Sequence, residues 1–239
     1  MFYSANPDEL RETIERLLAG TNPGPHPKAI IVPHAGYIYS GAIAASAYVR
    51  VPLTISRVVL IGPSHRVPLR GLAGSSASFW RTPLGDVVIE TPDWIPLNDA
   101  AHELEHSLEV QVPFLQEVLD DFTLIPLVAG EASAEAVADV LEKLWGGPET
   151  LIVISSDFSH YESYETACNM DRMAADAILA LDERGLDYDN ACGRVPICGL
   201  LHLAKKKKMR VELVDLRNSG DTAGPRDQVV GYGAFSFYE

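Results

Sequence analysis

Ala29-Ile30-Ile31-Val32-Pro33-His34-Ala35-Gly36-Tyr37 is the stretch that decides the fold. Four apolar residues run without polar alternation, as in a strand buried on both faces of a helix-covered parallel sheet. Pro33 has no N–H to give and ends the ladder. His34 is therefore expected just past the carboxyl end of a central strand, where open α/β sheets gather their ligands. The pattern recurs twice. Val58-Val59-Leu60-Ile61 runs into Gly62-Pro63-Ser64-His65, and Leu151-Ile152-Val153-Ile154 runs into Ser155-Ser156-Asp157-Phe158-Ser159-His160. Three buried strands thus end on acid/base or metal-capable side chains.

Outward from these strands, helices and strands alternate. Asn6-Pro7-Asp8 starts a helix with a capping side chain, a first-turn Pro and an acid. Leu10, Ile14, Leu17 and Leu18 form its apolar stripe. A tight loop is expected over 36–41 and a small-residue helix over 42–48. Further strands are expected at 72–78, 86–90, 122–128, 210–216 and 229–237. Helices are expected from about 105, with Pro113 kinking it or delaying its start, and over 135–144 and 165–181. A last helix follows Asp189–Pro196, with Pro196 near its first position. The expectation is one α/β domain over residues 1–239, with a central, mostly parallel or mixed sheet flanked by helices.

The formal net charge of −14 argues against nucleic acid, whose phosphates demand a basic face. Lys205-Lys206-Lys207-Lys208 is the one basic run and reads as the end of a helix. Asp8, Glu9 and Glu15 stand where a signal peptide would be basic and then apolar. No stretch reaches the ~18 apolar residues of a membrane span. Cys168, Cys192 and Cys198 make no disulfide framework. The expectation is a cytoplasmic protein with reduced thiols and no membrane partner.

Chemistry gathers in the three strand ends. His34 and His65 are imidazole donors on loops stiffened by proline. Cys192 precedes a helix, whose positive end favours thiolate. Together they make a three-point metal site with open positions. His106, Asp157 and His160 then orient the ligands or serve as acid and base. Each also has a plainer reading. A strand-end His is commonly a hydrogen-bonded structural residue, Cys192 an inert buried thiol, and Asp157 a helix cap. His102 and His106, four apart, read either as paired ligands on one helical face or as a helix start with His106 turned to the cleft. His26 and His202 read as surface or packing residues. No Gly-x-Gly-x-x-Gly, phosphate loop or Gly-x-Ser-x-Gly elbow is present. Ser64, Ser155 and Ser156 have no ordered triad around them.

Five blocks carry a family resemblance: Pro33–Tyr37, Gly62–Pro68, Glu105–Glu109, Ser155–His160 and Cys192–Ile197. In this order they resemble the MEMO family, whose prokaryotic members are called AmmeMemoRadiSam system protein B. The resemblance runs from Ala29 to the C-terminus. It implies a fold similar to the class III extradiol dioxygenases, non-haem iron enzymes that open catechol rings. It places metal ligands on His34, His65 and Cys192, and polar cleft residues on His106, Asp157 and His160. It implies a redox-linked iron or copper site, with zinc the other candidate. Arg66 and Val195 stand where the family often has His, and Ser159 where Cys can occur. Arg66 adds a permanent positive charge suited to an anionic ligand.

Ring-opening enzymes of that superfamily hold iron with two His and a carboxylate. A thiolate is softer and more easily oxidised, so weak or no catechol cleavage is expected. Three functions follow: a metal-dependent oxidoreductase, a non-catalytic module binding a small molecule or peptide, or an accessory protein of a radical-SAM partner. A closed cleft favours a small ligand, and a groove lined by Tyr37, Tyr39 and Arg66 favours a peptide. Edge strands are candidates for pairing in a homodimer.

Overall fold

The apolar runs lie side by side at the centre of one sheet. A computed structural model describes residues 2–239. In chain order its elements are α1 (Pro7–Ala19), β1 (Ala29–Val32), α2 (Tyr37–Tyr48), β2 (Arg57–Pro63), β3 (Leu72–Gly74), β4 (Phe79–Thr82), β5 (Gly85–Ile89), α3 (Asp99–Glu103), α4 (Val112–Val118) and β6 (Thr123–Ala129). Then come α5 (Ala134–Leu144), β7 (Thr150–Ser155), β8 (His160–Glu162), α6 (Tyr164–Leu179), α7 (Arg194–Lys207), β9 (Arg210–Asn218) and β10 (Val229–Tyr238).

The strand order is β4-β5-β6-β2-β7-β1-β10-β8, with β3 also on β6 and β9 also on β10. From β5 to β1 all neighbours are parallel. β10 pairs antiparallel with β1 and β9, and β4 with β5. The expected α/β class with a mixed sheet is what forms. Strand residues alternate between two cores, as the two-residue strand period requires. Ile31, Val59, Ile61, Ile125, Leu127, Ile152 and Ile154 face α5, α6 and α7. Ile30, Val32, Val58, Leu60, Leu124, Leu151 and Val153 face α1, α2 and α4. Each fully buried aliphatic side chain of this kind contributes about 1.5–3 kcal/mol, so the strand ends rest on a stiff platform.

The structure departs from the sequence reading in places that matter for the site. α2 begins at Tyr37, with no preceding tight loop over 36–41. Its cap residue Gly36 offers no side chain, and the Phe2 carbonyl accepts the Tyr37 N–H instead (2.8 Å). Tyr37 is 4% exposed and donates its hydroxyl to the Val110 carbonyl, so it lines no peptide groove. Glu105-His106-Ser107 is not helical. α3 ends at Glu103, a 3₁₀ turn covers Glu109–Gln111, and α4 begins at Val112 with Pro113 in its first turn, where a missing N–H costs nothing. His102 and His106 therefore share no helix face. His102 instead bonds the Ala73 carbonyl and packs on Trp80. The expected 72–78 strand forms only over Leu72–Gly74, as β3 on β6, and β5 pairs with β4 instead. The lysine run closes α7 as expected, and Lys208 takes a left-handed cap conformation (φ 57°).

Candidate metal centre

β2, β7 and β1 are successive neighbours in the sheet, so their carboxyl ends lie about 4.8 Å apart. His65 follows β2, Ser155 ends β7 with Asp157 two residues beyond, and His34 follows β1. Adjacent strand ends therefore bring together residues that are distant in sequence. His106 arrives from the irregular segment between α3 and α4. Ligand atoms of His34, His65 and His106 lie within 4.8 Å of one another, a group able to hold a metal ion.

Two of the imidazoles, His34 and His65, are held by a partner that fixes the proton. The Ser155 hydroxyl donates to the Ser107 carbonyl (2.5 Å) and accepts from Gln111 Nε2 (2.8 Å). Its remaining lone pair can only accept, so His34 Nδ1, 2.9 Å away, is the donor. His34 Nε2 is then an unprotonated lone pair. Gln111 is fixed in turn by donating to the Pro33 carbonyl (2.8 Å) and by accepting from the Tyr48 hydroxyl (3.0 Å). Glu105 does the same for His65: Oε1 accepts from Nδ1 at 2.9 Å and Oε2 from the backbone N–H at 2.5 Å. Glu105 Oε1 also takes the His106 and Ser107 backbone N–H groups. These bonds hold its carboxyl at about 2 despite burial. A hydroxyl behind His34 and a carboxylate behind His65 are the arrangement metal-binding histidines use. The donor set therefore fits a metal ion.

Electrostatics agree. His34 is 2% exposed, and burial holds its pKa well below the ordinary value, helped by His65 and His106. It is a neutral donor at neutral pH. Burial also lowers His106. His106 is stacked between two rings, Phe2 at 4.5 Å and His65 at 5.1 Å.

The family model described as Memo-like protein matches residues 1–236. The chain belongs to the Memo-like family. It is 34% identical to a MEMO1 family protein of Desulfurococcus amylolyticus, over 99% of this chain and 96% of the relative. It is 36% identical to MEMO1 family proteins of Sulfurisphaera tokodaii, over 97% and 94%, and of Archaeoglobus fulgidus, over 99% and 96%. A solved structure of an uncharacterized protein, JW3007 from Escherichia coli K12, aligns with TM-score 0.43 at 11% identity, over 85% of this chain and 98% of that one.

In this Memo-like chain the other candidate residues surround the three histidines. Cys192 Sγ lies 3.5 Å from His34 Nε2. Burial and the nearby Asp157 push its thiol up to about 12, the reverse of the lowering expected from the helix end; burial outweighs the dipole here. Gly193 makes the approach possible. A Cβ there would stand 2.5 Å from Ser156 Cβ and 2.8 Å from the Ser155 carbonyl oxygen. Asp157 Oδ1 accepts the His34 backbone N–H at 2.7 Å, and burial raises its carboxyl pKa. Asp157 caps no helix; β8 follows it. His160 lies in β8, outside the three-histidine group, and acts on Asp157 and His34 through charge. A cavity of about 750 Å³ opens beside His65 and Cys192, walled by Leu69, Arg70, Tyr188 and Pro196.

Ser155, Gln111 and Glu105 do work that the sequence did not assign them. The only signal was the carboxylate directly before His106. Nothing in the sequence marks Gln111, which lies in a 3₁₀ turn and reaches the site through its side chain.

Proposed function

We propose that this chain is a metal-dependent redox protein. His34, His65 and Cys192 hold the ion, and His106, Asp157 and His160 manage protons beside it. The observation that carries this reading is the 3.5 Å between His34 Nε2 and Cys192 Sγ. A tetrahedral ion bonded at about 2.0 Å to nitrogen and 2.3 Å to sulfur separates those donors by about 3.5 Å. Two imidazoles and a thiolate suit copper or iron, with zinc the third candidate. A redox-active ion in this set supplies Lewis acidity and one-electron chemistry.

The protein's own groups do the rest. Cys192 keeps its proton until a cation arrives and releases it on binding. His34 needs no deprotonation, because burial already holds it neutral. Glu105 Oε1 stands 3.4 Å from His106 Nδ1, and its charge opposes the lowering of the His106 pKa by burial. Asp157 anchors the His34 backbone, and its raised pKa suits it to keep a proton in the dry interior. The adjoining cavity takes a small molecule. With thiolate in place of carboxylate, catechol ring opening is weak or absent.

Metal content after anaerobic purification tests this, wild type beside His34→Ala, His65→Ala, Cys192→Ser and His106→Gln. Near-stoichiometric iron or copper, lost in the first three and kept in His106→Gln, is the expected result. Retention in Cys192→Ser with loss in His106→Gln would assign the third ligand to His106 and sink this reading.

A further inference from the structure

Phe2 and Tyr3 lie against the site. The Phe2 ring stacks on His106 at 4.5 Å with an 11° angle between planes. The other ring stacked on His106 is His65, at 5.1 Å and 21°. His34 meets the same imidazole edge-on at 5.4 Å. His106 is thus clasped between Phe2 and His65, with a third ring across its edge.

Phe2 is itself tied down. Its carbonyl accepts the Tyr37 N–H at 2.8 Å, an orphan donor at the start of α2 that no side chain caps. The next residue, Tyr3, donates its hydroxyl to the Glu109 carboxylate and packs its ring 5.3 Å from Tyr37. Two adjacent residues therefore make three attachments across the carboxyl end of the sheet. Phe2 stays 36% exposed, so burying its own surface is only part of what the ring does.

We infer that Phe2 is a positioning residue for His106: the strap Phe2–Tyr3 holds the imidazole against His65 and fixes the edge it turns to the cleft. Glu105 restrains one atom of that ring, Nδ1 at 3.4 Å, a distance too long to set its plane. The two stacked faces set the plane. This inference rests on the proposed role of His106 for its functional meaning, but the clasp itself is measurable without metal.

The test uses full-length protein stripped of metal by chelation. Histidine ring resonances are recorded by NMR, with His106→Gln assigning the signal, and carbethoxylation of each His is followed by mass spectrometry. Stacking of this kind is worth about 0.5–1.5 kcal/mol, so Phe2→Ala and Phe2→Leu should raise His106 reactivity about 2- to 10-fold. The Phe2 contribution to the ring-current shift of His106 should be lost in both, leaving only that of His65 and His34, while His26 and His202 do not change. Phe2→Tyr should restore both readouts, and Tyr3→Phe should loosen the clasp partly. Unchanged His106 shift and reactivity in Phe2→Ala would overturn the inference. Full wild-type behaviour in Phe2→Leu would overturn it too, since any apolar residue would then serve. Metal content of Phe2→Ala separates the two readings. Metal kept alongside a moved His106 supports both, whereas metal lost alongside a moved His106 supports the clasp and makes His106 a ligand, against the proposed function.

Discussion

Ser155→Ala removes one oxygen atom and should cost both stability and metal affinity. Ser155 is fully buried. Its hydroxyl serves three groups at once: the Ser107 carbonyl at 2.5 Å, Gln111 Nε2 at 2.8 Å and His34 Nδ1 at 2.9 Å. Alanine leaves all three without that partner where water has no ready access. An unsatisfied buried group costs about 1–3 kcal/mol, and relaxation recovers part of the sum, so about 2–4 kcal/mol of destabilisation is expected. For a chain of this size that lowers Tm by roughly 4–16 °C. The second effect is on His34. With no acceptor behind Nδ1 the proton is free to move to Nε2, the atom turned toward Cys192. Loss of such an orienting partner typically weakens metal binding about 10- to 100-fold. Competition against a chromophoric chelator reads the affinity, and calorimetry reads the stability. Wild-type metal affinity in a folded Ser155→Ala protein would refute the argument that this hydroxyl sets the His34 tautomer.

Metal affinity should rise with pH by about tenfold per unit from neutral to mildly alkaline conditions, because the Cys192 thiol, at about 12, must lose its proton while His34 is already neutral; Cys192→Ser should flatten that slope in a pH series of titrations. Gly193→Ala should weaken metal binding with the fold intact, since a Cβ 2.8 Å from the Ser155 carbonyl forces the start of α7, and Cys192 with it, off the sheet; unchanged affinity would show that the close approach is not needed. Asp171 is buried in α6, accepts the Ser159 N–H at 3.0 Å, and burial raises its carboxyl to about 6. A raised acid contributes stability that is full below its unfolded value and lost as pH rises through about 6. Asp171→Asn should therefore be more stable than wild type above pH 6, by up to about 3 kcal/mol, and match it near pH 4; denaturant melts at the two pH values check this, and equal pH slopes would count against it.

Much of this was legible because strand burial and strand ends leave local signals. Ala29–Val32 and Thr150–Ser155 are uniformly buried in the structure, as their unbroken apolar runs implied. Pro33 and the residues after Ile61 and Ile154 placed His34, His65 and Asp157 at strand ends. The segment around His106 was harder. The helix expected from about 105 does not start there, because Glu105 draws the His65, His106 and Ser107 N–H groups to its carboxylate. The His65 bond spans forty residues, so no short window of sequence contains both of its ends.

By itself the sequence determined the α/β class, the strands that carry the site and the family to which the chain belongs, because apolar period, chain breakers and ordered motif blocks are all written locally. Only the tertiary structure decided that β2, β7 and β1 are neighbours and that Ser155, Gln111 and Glu105 set the imidazole protons. It also decided that burial raises the Cys192 thiol against its helix-end position, and that Phe2 reaches His106. These depend on distances between residues far apart in the chain, and on the water that packing excludes. Neither quantity exists until the sheet has closed around them.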